Sequence, residues 1–446
     1  MLNAPVKPLV MKLAVPTIIS MLITNIYNLV DTAFIGTLGT SASGAVGVVF
    51  GYMAILQACG FMFGQGSGIL MSRALGAGDR EQAKIAAASG FYISMLMGLF
   101  IAAVTAIWLH PIVMLLGSTV TIAPYAETYI GYILIAAPAM IGSFSLNNLL
   151  RFEGRAKLGM IGLLAGSLLN IAGDALFIFG FKMGIAGAGL STCISQYTGL
   201  LILLVPYLAR KTIVGLDPRK ISNSGRHYAT VVHTGLPSLI RQGLSSIATI
   251  ILNSLAGGYG DAAVSAMSIA GRVSFIALGV ALGIGQGFQP ISGFAYGAKK
   301  YKRLREAFFF TFSIAEAVMF VLLLIIFIFA PSLVQLFRDD PKVVEIGVRA
   351  LRLLCVAMIP HPGTSITEML FQTTGNSSKA SLIALLRNGL LFIIALLVLE
   401  SIRGLAGIQE AQPVSFVLAY IPSYIFLIQY LRKLPTEDFD ESVGES

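Results

Sequence analysis

Long blocks of apolar residues run along this chain, separated by short segments rich in Gly, Pro and charge. A helix needs about 20 apolar residues to cross the roughly 30 Å hydrocarbon layer of a bilayer. Blocks of that kind fall near residues 9–34, 44–71, 85–109, 124–150, 158–180, 187–209, 229–256, 262–289, 304–330, 343–371, 379–400 and 409–431, which predicts twelve transmembrane helices. The hydrophilic segment from Arg210 to Tyr228 divides them six and six. The expected organisation is an amino-terminal six-helix lobe over 1–209, a cytoplasmic linker over 210–228, a carboxy-terminal six-helix lobe over 229–433, and a disordered acidic cytoplasmic tail over 434–446.

The two lobes repeat each other. A shift of 221 positions carries Pro16 onto Pro237, Gly39 onto Gly260, Gly64-Gln65-Gly66 onto Gly285-Gln286-Gly287, and Gly154 onto Gly375. Further on the register slips to 223, where Gly184-Ile185 matches Gly407-Ile408. With six helices in each half, both halves enter the bilayer in the same orientation. The expected architecture is all-α, two six-helix bundles related by a pseudo-two-fold axis along the membrane normal.

Charge adds an orientation. Of 30 Lys and Arg residues, 21 lie in the termini and even-numbered loops and only Lys182, Arg338, Lys342 and Arg403 in the odd-numbered loops. Such a bias places both termini in the cytoplasm. The net charge of +9 is therefore topological, and nucleic acid is not an expected partner. Composition agrees with a bilayer: 56% of residues are hydrophobic and 11% charged, against about 25% charged in soluble domains. The first apolar stretch carries an Asp and runs on without a small-residue cleavage site, so no cleaved leader is expected. Cys59, Cys193 and Cys355 are far apart in apolar runs and read as small buried hydrophobes, without disulfide or metal roles.

Polar groups inside such helices are the candidate chemistry, because a charge at the centre of a span costs about 2.5–3.5 kcal/mol on insertion scales. Tyr27 and Asp31 stand four apart in the first span, and Asn170 and Asp174 four apart in the fifth, so each pair shares a helix face. By span direction Asp31, Asn170, Asp174 and Thr192 lie in the outer half, and Asn147 nearer the cytoplasm. Carboxylates, an amide and a hydroxyl at one depth satisfy one another by converging, and oxygen ligands suit a hard cation such as Na⁺. Two buried acids sharing a site also take up a proton. The alternative is that these groups only hydrogen-bond helices together.

Gln65, Arg241, Gln286, His361 and Glu368 are candidate cavity residues, with Arg241 able to snorkel and Glu368 to be interfacial. Arg272, Arg349 and Arg352 read as helix-end anchors, and Glu316 has no partner that the sequence names. Gly64-Gln65-Gly66-Ser67-Gly68 is read as close helix packing and not as a nucleotide loop, since it follows no strand and recurs in the second lobe.

On these residues the chain resembles the multidrug and toxic compound extrusion (MATE) transporters, nearest a DinF-like and MepA-like prokaryotic branch, over nearly its whole length. The match rests on Pro16, Tyr27 and Asp31 in the first span, Asn170 and Asp174 in the fifth, Asn147 in the fourth and Thr192 in the sixth. The resemblance implies a cation site at Asp31, Asn170, Asp174 and Thr192 for Na⁺ or H⁺, supported by Tyr27 and Asn147, with the first helix bending near Pro16. It implies no organic or resident metal cofactor, a small organic substrate, a monomer, and a plasma or inner membrane of a bacterium or archaeon. Leu244-Ser245-Ser246-Ile247 holds no acid where another branch carries one, so a carboxy-lobe cation site of that kind is not expected. The expected activity is cation-coupled antiport of organic, often cationic and amphipathic compounds. A lipid-linked precursor flippase is the alternative, kept open by Arg241. An integral-membrane enzyme is a third, disfavoured by four scattered histidines.

Overall fold

The computed structural model describes residues 1–435 and 437–438, and every regular element among them is helical. In chain order these are α1 (Val6–Gly36), α2 (Thr40–Gly76), α3 (Arg80–Ile107), α4 (Leu109–Leu115), α5 (Ala123–Phe152), α6 (Ala156–Asp174), α7 (Ile185–Leu208) and α8 (Gly225–Gly257). They are followed by α9 (Asp261–Gly297), α10 (Tyr301–Ile328), α11 (Ala330–Phe337), α12 (Pro341–Ala357), α13 (His361–Thr373), α14 (Ser377–Leu385), α15 (Leu391–Arg403) and α16 (Leu405–Lys433). A π-helical turn, Ala175–Gly180, prolongs α6, and another, Leu386–Leu390, joins α14 to α15.

Among the described residues eleven helical stretches are long and apolar enough to cross a membrane. The twelfth crossing is α12 and α13 together, interrupted at Met358–Pro360, where Pro360 and Pro362 remove backbone donors. Short α4 and α11 were not expected from hydropathy; they occupy equivalent places, after the third and the ninth crossing. Large apolar side chains such as Leu96, Phe100, Leu201 and Ile394 point outward, as they must where the solvent is lipid.

Helix ends are fixed by local chemistry. Asp79 caps α3 by accepting from the Gln82 amide at 2.9 Å, and Asp340 caps α12 by accepting from the Lys342 and Val343 amides at 2.9 and 3.2 Å. Gly39 and Gly260 precede α2 and α9 with φ of 117° and 94°, a region that side chains rarely adopt, which explains why the repeat keeps glycine there. The same test corrects the register further on. Gly184, before α7, and Gly404, before α16, share φ 59° with ψ of −138° and −134°. The structural counterpart of Gly184 is therefore Gly404 and not Gly407, whose matching dipeptide is fortuitous.

Packing divides the chain into two compact units, one of residues 1–18 with 240–446, the other of residues 19–239. Residues 1–18 and 229–239 thus pack with the opposite unit from the lobe to which sequence order assigns them. The boundaries, after Ile18 and after Leu239, are separated by the same 221 positions as the repeat, and each follows the repeated proline, Pro16 or Pro237, closely.

Small residues make the contacts that the Gly-Gln-Gly pattern predicts. A Cβ on Gly66 would stand 2.1 Å from the Val231 carbonyl oxygen, and one on Gly235 1.9 Å from that of Met62, so α2 and the start of α8 meet backbone to backbone. In the other unit Gly287 and Gly283 of α9 approach Ala14 and Ile18 of α1 in the same way. The linker is tied to the 19–239 unit: Glu153 accepts from the Ile213 amide and from that of Val214 at 2.8 Å, and Tyr92 donates to the Leu216 carbonyl at 3.0 Å. Residues 436 and 439–446, most of the tail expected to be disordered, lie outside the described residues.

Candidate functional site

Four helices of the 19–239 unit deliver the acidic site. α1 brings Tyr27 and Asp31 one turn apart, α5 brings Tyr129, α6 brings Asn170 and Asp174, and α7 brings Ser191 and Thr192. Gly173 permits the α6–α7 approach, since a Cβ there would lie 2.5 Å from Ser191 Oγ. Asp174 ends the α-helical part of α6, and the π turn begins at the next residue; such turns re-aim side chains at functional sites.

Hydrogen bonds tie the cluster together. Tyr129 donates to Asp31 Oδ2 at 3.4 Å and its hydroxyl also lies 3.2 Å from Thr192 Oγ1. Asn170 Nδ2 donates to Thr192 Oγ1 at 3.2 Å and to Ser191 Oγ at 3.3 Å, and Ser191 Oγ donates to the Asn170 carbonyl at 2.9 Å. The carboxyl groups of Asp31 and Asp174 are close enough to interact electrostatically. Both are buried, with exposures of 1% and 0%.

Yet Asp31 Oδ1, Asn170 Oδ1 and both carboxyl oxygens of Asp174 are buried without a hydrogen-bond donor. An isolated carboxylate in a low-dielectric interior is too costly to persist unpaired. Buried carboxyl and amide oxygens without a donor have the chemistry to take up a proton or to act as oxygen ligands to a hard cation. Tyr27 and Asn170 also line a cavity of about 40 Å³ with Thr24, Ser143 and Ser167.

Of the residues predicted from sequence, Asp31, Asn170, Asp174 and Thr192 meet, with Tyr27 beside them. Asn147 does not join them. Its side chain lies against Gly159, near the start of α6, and Asn170 is eleven residues on, about 16 Å along the helix axis. Pro16 lies on the part of α1 that packs with the other unit. Gln65 accepts from Ser238 Oγ at 3.0 Å, and Gln286 is buried in α9.

Arg241, Glu368 and His361 form a second buried group, in the unit of residues 1–18 and 240–446. Glu368 is fully buried in the middle of α13, and Arg241 turns inward to it at 2.7 Å, so neither is interfacial nor snorkelling. Glu316 finds a partner too: its Oε1 accepts from the Gly363 amide at 3.0 Å, at the start of α13. Arg349 pairs with Glu410 at 3.2 Å at an exposed position and the half-buried Arg352 lies over the Phe327 ring, both of which suit anchors. Sequence reasoning missed Tyr129 and Ser191, which look like ordinary helix residues until the cluster is assembled, and Arg387, whose place in an apolar span was the available signal.

Comparison with known proteins identifies the family and the fold. The MatE family profile matches twice, over residues 16–176 and 237–397, one match to each repeat, and the chain belongs to the MatE family of membrane transporters. The multidrug export protein MepA of Staphylococcus saprophyticus is 27% identical over 400 residues, covering 89% of this chain and 88% of that protein. MepA of Staphylococcus aureus strain MSSA476 is 26% identical over 443 residues, covering 99% and 97%. Among solved structures, a MATE protein in complex with MaL6 superposes with a TM-score of 0.91 at 26% identity, covering 97% of this chain and 98% of the other. A MOP-superfamily transporter from Pyrococcus furiosus, described as having a binding pocket of reverse polarity that suggests a different function, gives 0.90 at 25% identity, covering 97% of each. The protein is thus a multi-pass membrane transporter with twelve crossings, as its repeat and hydropathy predict.

Proposed function

We propose that this transporter is a cation-coupled antiporter that exports organic, often cationic and amphipathic molecules from the cell. The observation that carries the reading is the donor-free oxygen cluster of Asp31, Asn170 and Asp174, a group of atoms that is stable only with a proton or cation among them. The curated relatives, named multidrug export proteins, support the substrate class. In this mechanism Na⁺ or H⁺ enters the cluster, neutralises the acids and changes how α1 packs beside α6 and α7. The change closes the cavity of the amino-terminal lobe and releases substrate outward. Inward flow of a cation supplies about 2.3 kcal/mol per charge per 100 mV. The basic loops support an orientation with both termini in the cytoplasm and an inner or plasma membrane as the site of action. No further cofactor or nucleic acid enters the mechanism, and a monomer suffices for it.

Proteoliposomes loaded with a fluorescent cationic dye, with Na⁺ and pH gradients imposed separately, test this. Dye export driven by at least one inward gradient is expected; export indifferent to both would refute coupling. The flippase alternative is favoured by one feature, the buried arginines at Glu368. Translocation of a lipid-linked anionic precursor, with no dye export, would establish it instead.

A further inference from the structure

The acidic cluster has a counterpart of opposite sign in the other unit. Glu368 on α13 is gripped by two arginines: Arg241 Nη1 on α8 donates to Oε1 at 2.7 Å, and Arg387 Nη2, in the π turn between α14 and α15, donates to Oε2 at 2.6 Å. Arg387 Nη1 donates to the hydroxyls of Thr364 and Ser365 at 3.2 and 3.0 Å. The side chains of Arg387 and Glu368 are 1% and 0% exposed, and that of Arg241 is 9% exposed. Two guanidinium groups against one carboxylate leave a net charge of at least +1 inside a membrane-spanning unit. Glu316, whose Oε1 accepts from the Gly363 amide, bonds neither arginine among the described residues.

Donors remain in excess as well as charge. Arg387 Nε is buried with no acceptor, and Nδ1 of His361, the residue that begins α13, is buried with no partner and can donate in the tautomer whose Nε2 accepts from Ser365 Oγ at 3.4 Å. Arg241 spends one nitrogen on Glu368, and no other hydrogen bond of its guanidinium occurs among the described residues. A buried charge without a counter-charge and buried donors without acceptors are each costly. One kind of group relieves both, a singly charged oxyanion. Guanidinium forks match planar oxyanions in charge and geometry, where a lysine would offer only a point charge.

Resting on the reading of the protein as an exporter, we infer that Arg241, Arg387 and His361 form a subsite for an anionic oxygen group, a carboxylate or a phosphate, on the transported molecule. Arg241, the most exposed of the three, is the residue that meets the group first, and Glu368 holds both guanidinium planes in place. Among cationic amphipathic molecules the preferred cargo is then a zwitterion, a large apolar body that also carries one oxyanion.

The test compares a rhodamine dye bearing a free benzoate carboxyl with its methyl ester, two probes that share the same cationic ring system. Binding of each to the purified full-length protein is followed by fluorescence polarisation. The free acid is expected to bind about tenfold more tightly, the size of one charge-assisted hydrogen bond. Arg241→Gln should abolish that preference while Arg241→Lys retains part of it, and inorganic phosphate should displace the acid from the wild-type protein but leave the ester bound. Equal affinities for acid and ester in the wild-type protein would overturn the inference, as would a preference unchanged in Arg241→Gln. The wild-type comparison and the phosphate displacement need no variant to fold. Because binding is read without any gradient, failure here is separable from failure of cation coupling.

Discussion

Tyr129 sets the geometry of the acidic cluster without carrying charge. Its hydroxyl reaches both Asp31 and Thr192, so it links α1 to α7 through α5. Tyr129→Phe removes both bonds and leaves the ring in place. A hydrogen bond to a charged acceptor contributes about 1.5–3 kcal/mol, so the half-saturating concentration of the coupling ion should rise about tenfold. The maximal rate of dye export should change far less, a split visible in ion titrations of proteoliposome transport. An unaltered ion dependence would show that Tyr129 does not position the site. At this scale the sequence was a good guide wherever a residue was expensive to bury. Asp31, Asn170 and Asp174 stood out against apolar neighbours, and all three meet. Tyr129 and Ser191 are cheap residues in a helix, so nothing in the linear pattern marked them. Asn147 carried the same polar signal as Asn170, but depth along α6 separates it from the cluster.

Elements pack here through missing side chains. Gly66 and Gly235 stand where a Cβ would strike a carbonyl oxygen of the opposing helix, whereas Gly47, on the same helix as Gly66, has nothing within 4 Å of an added Cβ. Gly66→Ala should therefore force α2 and α8 apart and destabilise the protein by about 1–3 kcal/mol. Gly47→Ala should be neutral or stabilising by about 0.5–1 kcal/mol, because it removes backbone freedom from a helix interior. Thermal unfolding midpoints of the purified proteins distinguish the two, and equal effects would contradict the close-packing account. Hydropathy located the crossings but not their interruptions. The break at Met358–Pro360 and the π turns after Asp174 and around Arg387 arise from backbone hydrogen bonding that an apolar run does not record. The same limit explains the register error, in which a shared Gly-Ile dipeptide outweighed the backbone conformation that identifies Gly404 as the partner of Gly184.

Across the whole molecule the repeat preserves architecture and discards chemistry. The positions 221 beyond Tyr27 and Asp31 are Ala248 and Leu252, and the position matching Asn147 is Glu368. One unit holds buried acid oxygens without donors, and the other holds two buried arginines that share a single acid, built on the same succession of helices. The duplication and the six-plus-six division were legible in sequence because Gly and Pro recur at one spacing. That residues 1–18 and 229–239 pack with the opposite units was not, because it depends on contacts between segments distant in the chain. The central claim is that ion coupling resides in the unit of residues 19–239 alone. It is tested most directly by gradient-driven dye export from proteoliposomes containing Asp174→Asn or Glu368→Gln, each reconstituted to the wild-type level. Asp174→Asn should lose all stimulation by the ion gradient, while Glu368→Gln should keep gradient stimulation whatever it does to dye affinity; normal coupled export by Asp174→Asn would contradict the account.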